Sequence, residues 1–173
     1  MELLQSLERL HRMLREPAAL ADVLRRKAAL ETDPKLVRAT LMEVSKLQTD
    51  LQDTGSAIGT LRKLLDINPA DLEVLRQLQV ACEKQERWAD LVDALLKEAE
   101  LCQDQYPERE LDARYRAAAI LDGELDRTDD AMLQFDLVLR ARPVHAPSRA
   151  YLEDRLRGRP AQRSATAAVL LHA

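Results

Sequence analysis

The sequence predicts an all-α protein, a solenoid of antiparallel helical hairpins stacked in a row. Three observations carry that expectation. The chain holds only four glycines and is dominated by Leu, Ala, Arg, Asp and Glu, a mixture rich in helix formers and poor in β-branched and aromatic residues. Apolar residues recur at helical spacing along almost the whole chain. The chain also repeats itself: Ala21–Leu30 aligns with Val92–Leu101 at an offset of 71, and Ala57, Leu61 and Pro69 align with Ala131, Phe135 and Pro143 at an offset of 74. A period near 72 that divides into two hairpins is a solenoid signature. The three-residue difference fits the turn around Gln103–Glu108, which is longer than its counterpart at Glu31–Pro34.

The elements follow in order. Leu3, Leu4, Leu7, Leu10 and Leu14 form one stripe, and Leu20, Val23, Leu24, Ala28 and Leu30 the next. Asp33-Pro34 supplies an N-cap and then a proline at the first helical position, where its missing N–H costs nothing. Asp53 or Ser56 caps the helix that runs to Asp66. Asn68-Pro69 breaks the chain before Leu72, because a proline disfavours helical geometry in the residue before it. Thr128-Asp129-Asp130 offers a cap and first-turn negative charge that suits the helix dipole. Together these signals predict helices near 2–15, 18–31, 35–52, 55–66, 71–85, 88–103, 109–125, 129–141 and 147–157.

The residues then resemble the tetratricopeptide repeat (TPR), W-x2-L-G-x2-Y followed by A-x3-F and P. In 112–145, Tyr115 stands at the first aromatic position and Ala118-Ala119 at the Leu-Gly pair, with Ala131, Phe135 and Pro143 in register. In 38–71 the matches are Leu41, Val44-Ser45, Ala57, Leu61 and Pro69. Asp122 departs from the tyrosine of the pattern. A small residue at Ala57 or Ala131 lets two helices approach, and the bulky Leu61 or Phe135 one turn later fills the groove between hairpins. The resemblance implies a right-handed superhelix over 1–157, with degenerate repeats near 1–37, 38–71, 72–111 and 112–145 and a capping helix at 146–157. In that cap Leu152 and Leu156 face inward while Glu153, Asp154 and Arg155 are solvated. Residues 158–173 read as a basic and apolar tail, frayed or weakly docked.

Charge narrows the function classes. Residues 1–139 carry 19 Lys and Arg against 28 Asp and Glu, whereas from Arg140 onward seven arginines face Glu153 and Asp154. So acidic a body argues against nucleic-acid binding along the array. The alternative is a regulatory or nucleic-acid-associated module in which Arg140, Arg142, Arg149, Arg155, Arg157, Arg159 and Arg163 touch phosphate. Cys82 and Cys102 lie in apolar helical stretches without a CxxC or Cys/His pairing, so neither a disulfide framework nor a zinc site is expected. His11, His145 and His172 are scattered; His11 reads as a surface or half-buried residue, and His145 as a cap or a solvated side chain. Gly55 and Gly59 form no phosphate loop. No catalytic residue, cofactor or metal is expected. Trp88 opens a helix and reads as packing at a hairpin turn. The N-terminal segment lacks the apolar run of a signal peptide and no stretch approaches a membrane span, so the expected location is the cytoplasm.

What remains is a binding surface. The resemblance implies that the first helix of each hairpin lines a groove that takes a peptide, and it places Arg9, Lys46, Arg76 and Arg116 there, one basic residue per repeat, with Glu83 and Glu124 on the same face. A row of cations suits a protein or peptide partner with acidic character. Family members that clasp a peptide's C-terminal carboxylate use asparagines on the groove helices. The only asparagine here, Asn68, sits in a turn. The expected function is a non-enzymatic protein-interaction scaffold, or an interaction domain cut from a larger protein; oligomeric state is not legible.

Overall fold

A computed structural model describes residues 2–158 and 163–172, and the side chains of the last helix over 166–170. Among the described residues there are ten helices and no strand: α1 (Glu2–Leu14), α2 (Pro17–Leu30), α3 (Pro34–Asp50), α4 (Thr54–Ile67), α5 (Leu72–Lys84), α6 (Trp88–Cys102), α7 (Pro107–Gly123), α8 (Thr128–Ala141), α9 (Ala146–Gly158) and α10 (Arg163–His172). The nine helices expected from the sequence each lie within two residues at both ends. The chain divides into two compact units, 1–86 and 87–173.

Local chemistry explains several helix starts. Asp33 accepts the Lys35 N–H at 2.9 Å ahead of Pro34, Asp53 accepts the Ser56 N–H at 3.1 Å, and Asp71 accepts from Glu73 and Val74 at 3.2 Å. Each satisfies an amide that the first helical turn leaves without an intrahelical partner. Asn68 ends α4, and its side-chain oxygen takes the Ala70 N–H, shaping the turn through Pro69. The start of α8 departs from expectation. Thr128 is the first helical residue rather than the cap; Arg127 precedes it without a side-chain cap, and the Thr128 hydroxyl bonds Asp122 instead.

Four of the turns share a feature hidden from the sequence. Arg15, Gln52, Glu86 and Asp126 all have positive φ, between 53° and 61°. Each sits in the short turn between one helix and the next. A left-handed residue closes such a turn at a cost to any side chain with a Cβ. Glycine is the usual sign of it, and no glycine stands at any of the four positions.

In the first unit each helix packs on its neighbour in sequence, α1 on α2 through to α4 on α5. Leu20, Ala21, Leu24 and Val44 form a buried cluster with Leu47 against it. Ala57 and Leu61 are both buried, as the spacing of small and bulky residues requires. Arginines tie alternate helices: Arg12 bridges Glu8 and Glu43, and Arg38 bridges Asp71 and Glu73. α1 is the least covered helix, with no buried residue among those described and Leu3, Leu10, Met13 and Leu14 exposed.

In the second unit α7 packs on α6, α8 and α9, while α10 lies against α8 and α9. Phe135 is fully buried, its ring stacked on Tyr151 at 5.1 Å and edge-on to Tyr115 at 6.2 Å. Cys102 and, in the first unit, Cys82 are buried. Two features depart from the sequence expectation. Residues 163–172 form a helix with Thr166 and Val169 buried, where the composition suggests a frayed or weakly docked tail. Arg155 is buried rather than solvated; it pairs with the buried Asp122, which also accepts from the Tyr151 hydroxyl at 2.9 Å and from Thr128. That network explains why an aspartate replaces the pattern's tyrosine at 122. The side chain there pairs with an arginine from α9, and neither charge is left alone in a dry interior.

Candidate functional site

The first unit holds an open groove of about 680 Å³ between α3 and α5. Helical geometry builds it. On α3, Met42, Glu43, Lys46, Thr49 and Asp50 fall on one stripe; on α5, Glu73, Gln77, Val80 and Lys84 do the same, with Arg76 beside them. Leu61 of α4 and Ala81 of α5, both buried, form the base. Val80 stands on the otherwise polar face of α5, opposite the buried Val74, Leu75 and Leu78, and is 66% exposed. An apolar side chain on the wrong side of an amphipathic helix gives up burial, and here it adds to an apolar wall.

The electrostatics are set by pairs that reach in from outside. Glu43 is held by Arg12 at 2.6 Å and Glu73 by Arg38 at 2.9 Å. Both guanidinium groups are pushed above their ordinary value by these carboxylate contacts, Arg12 first by Glu43 and Arg38 first by Asp71. Asp71 in turn sits below the usual carboxylate range, chiefly because of the Arg38 contact. Glu8 also sits below that range. Burial alone would raise it, but bonds from Lys27 and Arg12 outweigh that effect. Two of the groove's three carboxylates are thus paired, and Lys46 and Lys84 form no ion pair with a described residue.

The expected site residues separate. Lys46 and Arg76 line this one groove from opposite helices. Arg9 is exposed on α1, and Glu83 is exposed on α5 but is not part of the lining. Arg116, half-buried on α7, and Glu124, exposed at the end of α7, belong to the second unit. Sequence reasoning missed Lys84, Val80 and the two flanking arginines. Val80 had a signal, an apolar residue out of phase with the stripe on α5; Arg12 and Arg38 had none, because each acts across 31 to 35 residues.

His11 and His145, the two histidines whose side chains are described, make local contacts. His11 bonds Glu16 at 2.8 Å. His145 accepts from the Ser148 hydroxyl and amide through Nδ1, and its pKa is lowered, first by burial and then by Arg142. Ser148 is fully buried, so the pair caps α9 and offers no accessible nucleophile. Among the described residues no group of His, Cys, Asp and Glu is placed to hold a metal, and no helix is long and apolar enough to cross a membrane.

The arginines of the C-terminal segment are largely committed within the second unit. Arg140 pairs with Asp136, Arg142 forms a bidentate pair with Glu108, Arg149 donates to the Pro143 carbonyl, and Arg155 is buried. Arg157 is exposed, while Arg159 and the side chain of Arg163 lie outside the described residues. Among the described arginines of this segment only Arg155 is withdrawn from solvent, while Arg140 and Arg157 remain exposed.

No protein-family model and no curated protein matches the chain. Solved structures do match in fold. A crystal structure of MamA superposes with a TM-score of 0.54 at 17% identity, covering 95% of this chain and 91% of that one. A second MamA structure gives 0.52 at 15% identity over 99% and 88%, and a MamA double mutant gives 0.52 at 14% identity over 99% and 90%. MamA is a TPR-like helical protein, so the chain shares the architecture of an all-α solenoid.

Proposed function

We propose that the chain is a non-enzymatic protein-interaction scaffold, built of degenerate TPR-like hairpins, that takes a peptide or protein segment in the groove between α3 and α5. The open groove carries this reading, because two helices present matched polar stripes around an apolar base and leave it uncovered. Lys46 and Arg76 are the residues that grip the partner, one from each wall. Arg9, Glu83, Arg116 and Glu124 belong to the same reading as further contacts on the first helices of their hairpins.

The test is affinity purification from an extract of the source cells, comparing the native chain with a Lys46→Glu/Arg76→Glu variant. Both side chains are exposed, so the variant is expected to melt like the native protein. A protein retained by the native chain and lost with the variant supports groove binding. Equal retention by both puts binding elsewhere, and retention by neither contradicts the scaffold.

A further inference from the structure

We infer that the α3–α5 groove selects a short amphipathic helix that carries internal carboxylate side chains, and that it does not select a free C-terminal carboxylate. This deepens the scaffold reading and rests on the groove being the partner surface.

Size comes first. The lining residues run from Met42 to Asp50 on α3 and from Glu73 to Lys84 on α5. At a rise of about 1.5 Å per residue these walls are roughly 12 to 17 Å long, which matches two to three turns of helix. Both walls are themselves helical ridges at i, i+3, i+4 and i+7. A third helix with apolar side chains at that spacing fits between them, on Met42, Leu61, Val80 and Ala81.

Charge then sets the edges of that helix. Glu43 and Glu73 are each satisfied by an arginine from outside the groove. The lining holds three cations, Lys46, Arg76 and Lys84, and three carboxylates, of which Asp50 is the only one without an arginine or lysine partner among the described residues. Lys46 on one wall and Lys84 on the other are the cations open to a ligand, so an incoming helix meets positive charge on both flanks. Carboxylates along its sides complete charge-assisted hydrogen bonds there, while lysines would face repulsion. A terminal-carboxylate clamp needs neutral amide donors beside its cations. The lining contains no asparagine, and its one amide is Gln77.

The experiment uses the full chain and three amidated, fluorescently labelled peptides of about 14 residues, long enough to form a helix on binding. All carry leucines at i, i+3 and i+7; their flanks carry Glu, Gln or Lys. Anisotropy should show binding of the Glu peptide, roughly tenfold weaker binding of the Gln peptide, and the weakest binding of the Lys peptide, with affinity falling as salt is added. Lys46→Glu/Lys84→Glu should weaken the Glu peptide by about tenfold and leave the Gln peptide little changed. Val80→Ser should weaken both alike. A free C-terminus should bind no better than the amide. Equal binding of Glu and Gln peptides, preference for a free carboxylate, or no binding of the Glu peptide would overturn the inference. If the peptides fail while Lys46→Glu/Arg76→Glu still loses the partner from the extract, the groove stands and only its carboxylate chemistry falls. Failure of both experiments removes the groove reading as well.

Discussion

Removing the Phe135 ring is the sharpest perturbation of the fold. The ring is completely buried, stacked on Tyr151 of α9 and edge-on to Tyr115 of α7. Phe135→Ala therefore opens a cavity where three helices meet, and such truncations cost about 3–5 kcal/mol. The two ring contacts add about 0.5–1.5 kcal/mol each beyond area burial, which puts the loss near the top of that range. For a chain of this size, that is a fall in melting temperature of roughly 10–15 °C. Trp88, the only tryptophan, lies in the second unit with Phe135, so its fluorescence in a urea titration reports on the unit that is perturbed. The control is Leu133→Ala on the same helix, where the side chain is 57% exposed and the change should stay within about 0.5 kcal/mol. A Phe135→Ala midpoint no lower than the control's would refute the assignment of this ring as the wedge between α7, α8 and α9.

Three further outcomes follow from particular contacts. Asp122→Asn leaves the Arg155 charge buried without its carboxylate and should cost about 3–5 kcal/mol, whereas Asp122→Leu/Arg155→Met should recover most of that loss; a double variant no more stable than Asp122→Asn would count against the pair. His145 has a folded pKa below its ordinary 6.5, so the folded state favours the neutral ring. Its contribution is full above pH 6.5 and declines as pH falls below it, because the unfolded chain takes the proton first. The native protein should therefore lose more stability between pH 7.5 and 5.5 than His145→Asn, which keeps a cap acceptor without titrating; equal losses would show that the ring does not titrate with folding. Gln52→Gly should stabilise the first unit by roughly 0.5–1 kcal/mol, the left-handed penalty at this position less the entropy glycine adds to the unfolded chain. Destabilisation on chemical unfolding would rule out strain there.

Helix positions were legible because they rest on local rules. Proline and aspartate at Asp33-Pro34 and the break at Asn68-Pro69 act within one turn of chain, and the small-then-bulky pairs Ala57/Leu61 and Ala131/Phe135 mark buried surfaces directly. α10 was not legible, since ten residues carry too little periodicity to separate a docked helix from a tail. Arg155 read as solvated because its partner, Asp122, lies 33 residues earlier, and no local pattern links them. The groove was half legible. Lys46 and Arg76 come from the repeat register, whereas the neutralising roles of Arg12 and Arg38 depend on which helices become neighbours. The left-handed turns at Arg15, Gln52, Glu86 and Asp126 were invisible, because glycine, the usual sign of such a backbone, occupies none of them.

The central claim is that the groove between α3 and α5 receives another protein. A photoreactive benzophenone amino acid placed at Val80, in the groove wall, tests it directly, with the same residue at Leu133 in the second unit as the comparison. Irradiation in living source cells should produce a discrete cross-linked adduct from position 80 and none from position 133, and Lys46→Glu/Arg76→Glu should abolish it. No adduct from position 80, or the same adducts from both positions, would contradict the claim.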